Sequence, residues 1–136
     1  TGFDGLTVGY AAGENNASGG TNNTDLTTMY VKYAYGPVTV GYQESEIDSS
    51  STSNDDDFES MGVTYQITDD LTVGYHAAER QFGDATEDQE TKSISVAYTT
   101  GGMTIKAQSA SMDNAGGSTA ARDDVDGYKL SVSFAF

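Results

Sequence analysis

The chain contains no cysteine and no tryptophan, one proline, one histidine, and only six lysines and arginines in 136 residues. Without cysteine there is no disulfide framework and no thiolate metal site. Six basic residues against 21 acidic ones leave a formal charge of −15 at pH 7 and a pI of 4.1. A chain so negative repels phosphate backbones, which excludes nucleic acid as a partner. No apolar run is long enough for a membrane-spanning helix, and mean hydropathy is −0.48. That absence excludes helical membrane proteins only, because a transmembrane β-barrel hides its apolar surface by alternation and scores as hydrophilic. The opening residues "TGFDG" carry no initiator methionine and no charged-then-apolar leader. They read as the start left by removal of a secretory signal, or as the later part of a longer chain.

What the chain does have is an internal repeat. "LTVGY" begins at Leu6 and again at Leu71, "VTVGY" begins at Val38, and the looser "MTIKA" begins at Met103, at offsets of 32, 33 and 32 residues. A second phrase alternates with the first: "VKYAY" from Val31, "VTYQI" from Val63, "VAYTT" from Val96 and "VSFAF" from Val132. A fixed period of this length marks a repeat architecture. Within each phrase every second residue is apolar, as in Leu6, Val8, Tyr10 or Leu130, Val132, Phe134. This is the period of a strand with one apolar face, and helical spacing fits none of the segments. The repeat is therefore a β-hairpin, and four hairpins give eight strands, approximately 5–12, 26–35, 38–46, 58–67, 71–81, 91–99, 103–112 and 127–136. Short turns ("YGP" at Gly36, "TDD" at Asp69, "TTGG" at Gly101) alternate with long polar connections (Gly13 to Asp25, Asp48 to Asp57, Gly83 to Glu90, Asp113 to Asp126).

Three features turn the apolar face outward. Roughly ten residues per strand, at ~3.3 Å rise and ~40° tilt, cross ~25 Å, the height of an outer-membrane apolar band. Tyr33, Tyr35, Tyr65, Tyr98, Phe134 and Phe136 gather near the short-turn ends, where amphipathic rings form a membrane girdle. The last strand closes on an aromatic. The other face carries Thr, Gly, Ser and four of the six basic residues, Lys32, Arg80, Lys106 and Lys129. A charge at mid-membrane costs ~2–4 kcal/mol facing lipid and little facing water. Lys32, Gln43, His76, Arg80, Lys106, Gln108 and Lys129 are thus the expected pore-lining residues. The four cations would form a basic stripe that biases ion passage. The acidic residues are expected mostly in the long loops, where they would favour cations at the mouth and tip the balance toward cation passage. "LTVGY" then recurs because each hairpin must satisfy its backbone in a medium without water.

The same phrases, with "TYQITDDLTVGYH" (Thr64 to His76) and the terminal "KLSVSFAF" (Lys129 to Phe136), resemble Gram-negative general porins of the alphaproteobacterial type. The resemblance implies an antiparallel up-and-down transmembrane β-barrel in the bacterial outer membrane. It also implies a 16-stranded parent of which this is the C-terminal half, a homotrimer, and recognition of Phe136 by the barrel assembly machinery. It implies a passive diffusion channel for small hydrophilic solutes and ions, with no cofactor and no catalysis. The chain departs from that pattern in having eight strands and no connection long enough to serve as a constriction loop. His76 has no G-x-S-x-G nucleophile to serve and reads as a wall residue. Asp55, Asp56, Asp57, Asp123, Asp124 and Asp126 offer the oxygens that Ca²⁺ or Mg²⁺ prefer, bridging toward lipopolysaccharide. None of them has EF-hand spacing, and a solvated acidic loop is the simpler reading. Two rivals stand beside the channel. One is a self-contained eight-stranded barrel acting as an anchor or adhesin without an open pore. The other is a soluble lipocalin-like barrel with Val40, Val73 and Val132 buried at its centre.

Overall fold

A computed structural model describes residues 4–16, 23–50, 55–118 and 124–135. It contains eight strands: β1 (Leu6–Asn16), β2 (Asn23–Tyr35), β3 (Val38–Ser49), β4 (Asp56–Gln66), β5 (Leu71–Phe82), β6 (Gln89–Thr100), β7 (Met103–Asp113) and β8 (Val125–Phe134). They form one antiparallel sheet in chain order, every strand paired with its sequence neighbours. Each short turn has chemistry that fixes its register. Between β2 and β3, Gly36 has φ +55 at the first of two turn positions, ahead of Pro37. Between β6 and β7, Gly101 and Gly102 both have positive φ (53 and 80), as a two-residue I′ hairpin requires. Between β4 and β5, the Thr68 hydroxyl accepts from the N–H groups of Asp70 and Leu71 at 3.3 and 3.1 Å.

The strands differ from the sequence reading mainly at the long-connection ends. β1 runs to Asn16 rather than Ala12, β2 starts at Asn23 rather than Leu26, and β3 runs to Ser49 rather than Glu46. Pairs such as Gly13↔Leu26, Glu14↔Asp25 and Asn15↔Thr24 carry the ladder into segments that lack strand propensity. Once a tight turn has set the register, pairing continues wherever each residue still has a partner opposite, with no need for apolar alternation. Three other ends fall short of the reading, β1 by one residue at its start. β4 stops at Gln66 because Ile67 N–H turns inward to the Leu71 carbonyl at 2.8 Å. β8 ends at Phe134, and Phe136 lies outside the described residues. The β7–β8 connection leans on the β5–β6 connection, with Thr86 and Glu87 N–H both donating to the Gly117 carbonyl at 3.3 and 3.4 Å.

The sheet is a single layer, and among the described residues no hydrophobic side chain is buried. Val40 is 43% and Val132 51% exposed, and Val73 is half-buried. These three valines are not buried together at a centre, as the soluble lipocalin-like reading requires. Strands β1 and β8 are the two edges of the sheet, with no ladder joining them among the described residues. On edge strand β1, Gly9 lies opposite Tyr30, whose ring covers it: a Cβ built at Gly9 sits 2.2 Å from Tyr30 Cε1. An aromatic laid over a glycine shields the bare backbone of an edge. Gly9→Val is expected to destabilise the assembled protein by about 1 kcal/mol by displacing that ring, and the added Tyr30→Ala change should remove most of the penalty. Urea unfolding of the single and double variants measures both.

Candidate functional site

Cross-strand partners point to the same face of a sheet, so the register sorts every strand residue to one side or the other. One face carries unbroken apolar rows, such as Leu6–Tyr33–Val40–Val63–Tyr75–Ile94 and Val38–Tyr65–Val73–Val96. The described girdle residues lie on this face as a staircase. Tyr33 is opposite Val40, and Val40 is opposite Val63, two residues short of Tyr65. Tyr65 leads through Val73 to Val96, two short of Tyr98, and Tyr98 leads through Ile105 to Val132, two short of Phe134. A shift of two residues (~6.7 Å) over two inter-strand steps (~9.6 Å) makes the aromatic line level when the strands tilt by ~35°. Transmembrane barrels tilt their strands by ~35–45°. Strands tilted as in a closed barrel would bring these aromatics to one height. Tyr35 stacks on Tyr33 with ring centroids 6.4 Å apart, extending the girdle toward the turn. A second staircase of the same pitch, Tyr10, Tyr42 and Tyr75, was not singled out from the sequence.

The acidic residues are not mostly in loops. Twelve of the 21 lie within strands, and eleven of those twelve share the face of the apolar rows, Asp56 being the exception. Five form one continuous row across five strands, Glu44–Glu59–Glu79–Glu90–Asp113, each directly opposite the next. Their signal in the sequence was parity: Glu44 falls in step with Val38, Val40 and Tyr42, and Glu79 with Val73 and Tyr75. Parity assigns these residues to the apolar face, but it does not show that they stand opposite one another. Lys92 is the basic residue on this face, paired to Glu90 at 2.6 Å.

The metal candidates are scattered. The Asp55 carboxylate accepts from Ser49 N–H at 2.8 Å, Asp56 is held by Arg80, and Asp57 points to the opposite face from Asp56. Asp124 accepts from Asn114 N–H at 3.2 Å, and Asp126 sits opposite Ser111, far across the sheet. Asp123 lies outside the described residues. Among the described residues no group of three or more Asp, Glu or His is arranged to hold a metal ion.

The other face bears all seven expected wall residues. Lys32, Gly41, Gly62, His76 and Ser93 form one row across β2 to β6. Gln43 lies between Tyr30 and Ser60, and Gln108 between Ser95 and Lys129. The four cations do not form a single stripe: measured along the aromatic staircase, Lys32 and Lys106 stand at nearly one height, and Lys129 and Arg80 lie farther toward the long connections. The alternation of the sequence fixes which face a residue takes but not its height on its strand, so a stripe could not be read from it. Arg80 is also neutralised. Its Nε donates to both Asp56 oxygens at 2.8 and 3.0 Å, its Nη2 makes a further bond to Asp56, and its guanidinium lies 4.7 Å over the Phe82 ring. Lys32, Lys106 and Lys129 are exposed and outside any ion pair among the described residues. With eleven strand carboxylates on the far side, this face is net positive, the reverse of the balance expected from the loops. His76 faces Ser93, and no hydrogen bond joins them among the described residues. Among the described residues the one strand carboxylate on this side, Asp56, is bound to Arg80.

A sequence model of the Gram-negative porin family matches residues 1–136. None of the curated proteins matches the chain. Among solved structures, a porin refined at 1.8 Å is similar at 18% identity with a TM-score of 0.62, over 90% of this chain and 50% of that one. A loop L8 deletion mutant of OmpT, an outer membrane protein of Vibrio cholerae, is similar at 18% identity and a TM-score of 0.63, over 98% of this chain and 50% of that one. OmpT of Vibrio cholerae expressed in the outer membrane gives 22% identity and 0.59, over 82% and 43%. The chain thus spans about half the length of these structures, and at such identities the likeness concerns the fold.

Proposed function

Because this chain belongs to the Gram-negative porin family and so to the bacterial outer membrane, we propose that its eight strands are half the wall of a 16-stranded, water-filled channel. Small hydrophilic solutes and ions cross it by passive diffusion, sorted by pore width and wall charge, with no catalysed step. The observation that carries this reading is the single-layer sheet itself: one face apolar and aromatic toward the short turns and acidic toward the long connections, the other hydroxylic and basic, with no buried hydrophobic side chain among the described residues. Two open edges, β1 and β8, support a larger closed barrel, since an unpaired edge in lipid leaves backbone groups without partners. By family likeness the whole protein is a homotrimer whose C-terminal Phe136 is read by the assembly machinery. Its acidic loop end lies at the level of lipopolysaccharide, where Ca²⁺ or Mg²⁺ would bridge the two.

The anchor reading, a closed eight-stranded barrel without a pore, is less well supported. A barrel of that size is filled by its interior side chains, and Gly9, Gly41, Gly62, Gly74, Ser131 and Ser133 fill little. The deciding experiment pairs the mass of the intact polypeptide with planar-bilayer recording. The expected result is a mass about twice the 14.3 kDa of this chain together with stepwise, ohmic channel openings in KCl. A polypeptide of this chain's mass that inserts and passes no current would establish the anchor instead.

A further inference from the structure

On the basic face, Gly13, Gly41, Gly62 and Gly127 are all without a steric requirement, and Gly41 and Gly62 stand out because they lie side by side. Gly41 and Gly62 are direct cross-strand partners with ordinary strand φ. A Cβ at Gly41 would meet nothing nearer than the Val31 carbonyl at 3.8 Å, and one at Gly62 nothing nearer than the Tyr75 carbonyl at 3.7 Å. This contrasts with Gly9, roofed by Tyr30, and with Gly74, where a Cβ would crowd Ser95 Oγ at 3.0 Å. Glycine inside a strand weakens it, because it gives up backbone entropy and packs nothing. Two adjacent glycines kept without a steric reason leave a bare floor.

That floor lies between two polar ends. Lys32 flanks Gly41 on β2, and His76 flanks Gly62 on β5. Two adjoining hollows of ≈ 250 and ≈ 270 Å³ share all four residues. Gln43 and Ser60 line one hollow, Ser93 and Ser95 the other. The row ends are about 14 Å apart at the backbone, three inter-strand steps. Behind the floor, on the opposite face, stand Val40, Tyr42, Met61 and Val63, so the trough lies at the depth of the apolar band. Lys32 is the free charge facing it, and the strand carboxylate of this face, Asp56, is bound to Arg80.

We propose that Lys32, the bare Gly41–Gly62 floor and His76 form a subsite that holds the oxyanion group of a small solute during its passage. Lys32 supplies a charge-assisted donor. The imidazole N–H of His76 donates from the far end, and the hydroxyls and the Gln43 amide bind the neutral part of the solute. Selection for oxyanions then comes from a local site as well as from the overall sign of the wall. This inference rests on the channel reading of the whole protein.

The test is block of KCl current by sulfate, a dianion over the whole neutral range, through the full protein in planar bilayers. Lys32→Gln is expected to raise the half-blocking sulfate concentration by about tenfold, the loss of one charge-assisted bond. Gly41→Val, which removes no charge and which the strand accommodates, should do the same by filling the floor. Lys106→Gln, an equal charge change outside the trough, should shift it by less than about twofold. Equal shifts for the two lysine variants, with none for Gly41→Val, would overturn the subsite and leave diffuse wall charge in its place. Channels that conduct KCl but show no sulfate block at all would overturn the subsite alone. Absence of any channel would overturn the diffusion reading as well.

Discussion

Val40→Arg, at the depth of the aromatic Tyr33, should cost the assembled protein about 1 kcal/mol, while Thr39→Arg, one residue away on the other face, should cost close to nothing. Val40 sits in the apolar row between Tyr33 and Val63, on the girdled face at 43% exposure. Thr39 sits between Ala34 and Thr64 on the basic face. In water, both positions of a one-layer sheet would accept arginine almost equally. In a bilayer, the first places a guanidinium among acyl chains and the second among water molecules. Reversible urea unfolding from lipid vesicles reads the difference directly. Equal costs for the two variants would mean that the apolar face does not contact lipid, and the outer-wall assignment of every strand would fall with it.

The second large effect runs in the opposite direction. Replacing Glu59 and Glu79 together by Gln should stabilise the protein in detergent containing a chelator, by roughly 1–2 kcal/mol at low ionic strength. Glu59 faces Glu44 and Glu79, and Glu79 also faces Glu90, so the double change removes three like-charge contacts of the acidic row. The gain should shrink as salt is raised, because partly exposed charges are screened within ~10 Å at 0.1 M. Glu87→Gln, in the β5–β6 connection and outside the row, should give no such gain. The temperature at which the folded form converts to the unfolded form, read by heat-modified gel migration, measures all three. A destabilised double variant would mean that the carboxylates make stabilising contacts that outweigh their mutual repulsion.

These two expectations differ in where they come from. The Val40 argument needs only the alternation in "VTVGY", which already places Val40 on the apolar face and Thr39 on the other. The glutamate argument needs the register. In the sequence Glu44, Glu59, Glu79 and Glu90 stand many residues apart, the first three within expected strands and Glu90 at the end of a polar connection. Only the pairing brings them into line. The basic side chains show the same limit from the other direction. Alternation correctly assigns Lys32, Arg80, Lys106 and Lys129 to one face. A stripe, however, is a statement about height, and height follows from the pairing offsets. The tilt is a similar case: Tyr33, Tyr65, Tyr98 and Phe134 were legible as a cluster near the turns, but their two-residue steps appear only in the ladder.

By itself, then, the sequence determined the period, the hairpins and the two-faced character of each strand. Those properties follow from local geometry, in which successive side chains point to opposite faces and glycine-bearing turns reverse the chain. The tertiary structure alone decided which strand residues stand side by side: the carboxylate row, the Arg80–Asp56 pair, and the glycine floor between Lys32 and His76. Such neighbours are set by inter-strand register, a long-range property that two-residue periodicity leaves undetermined by any even number of residues.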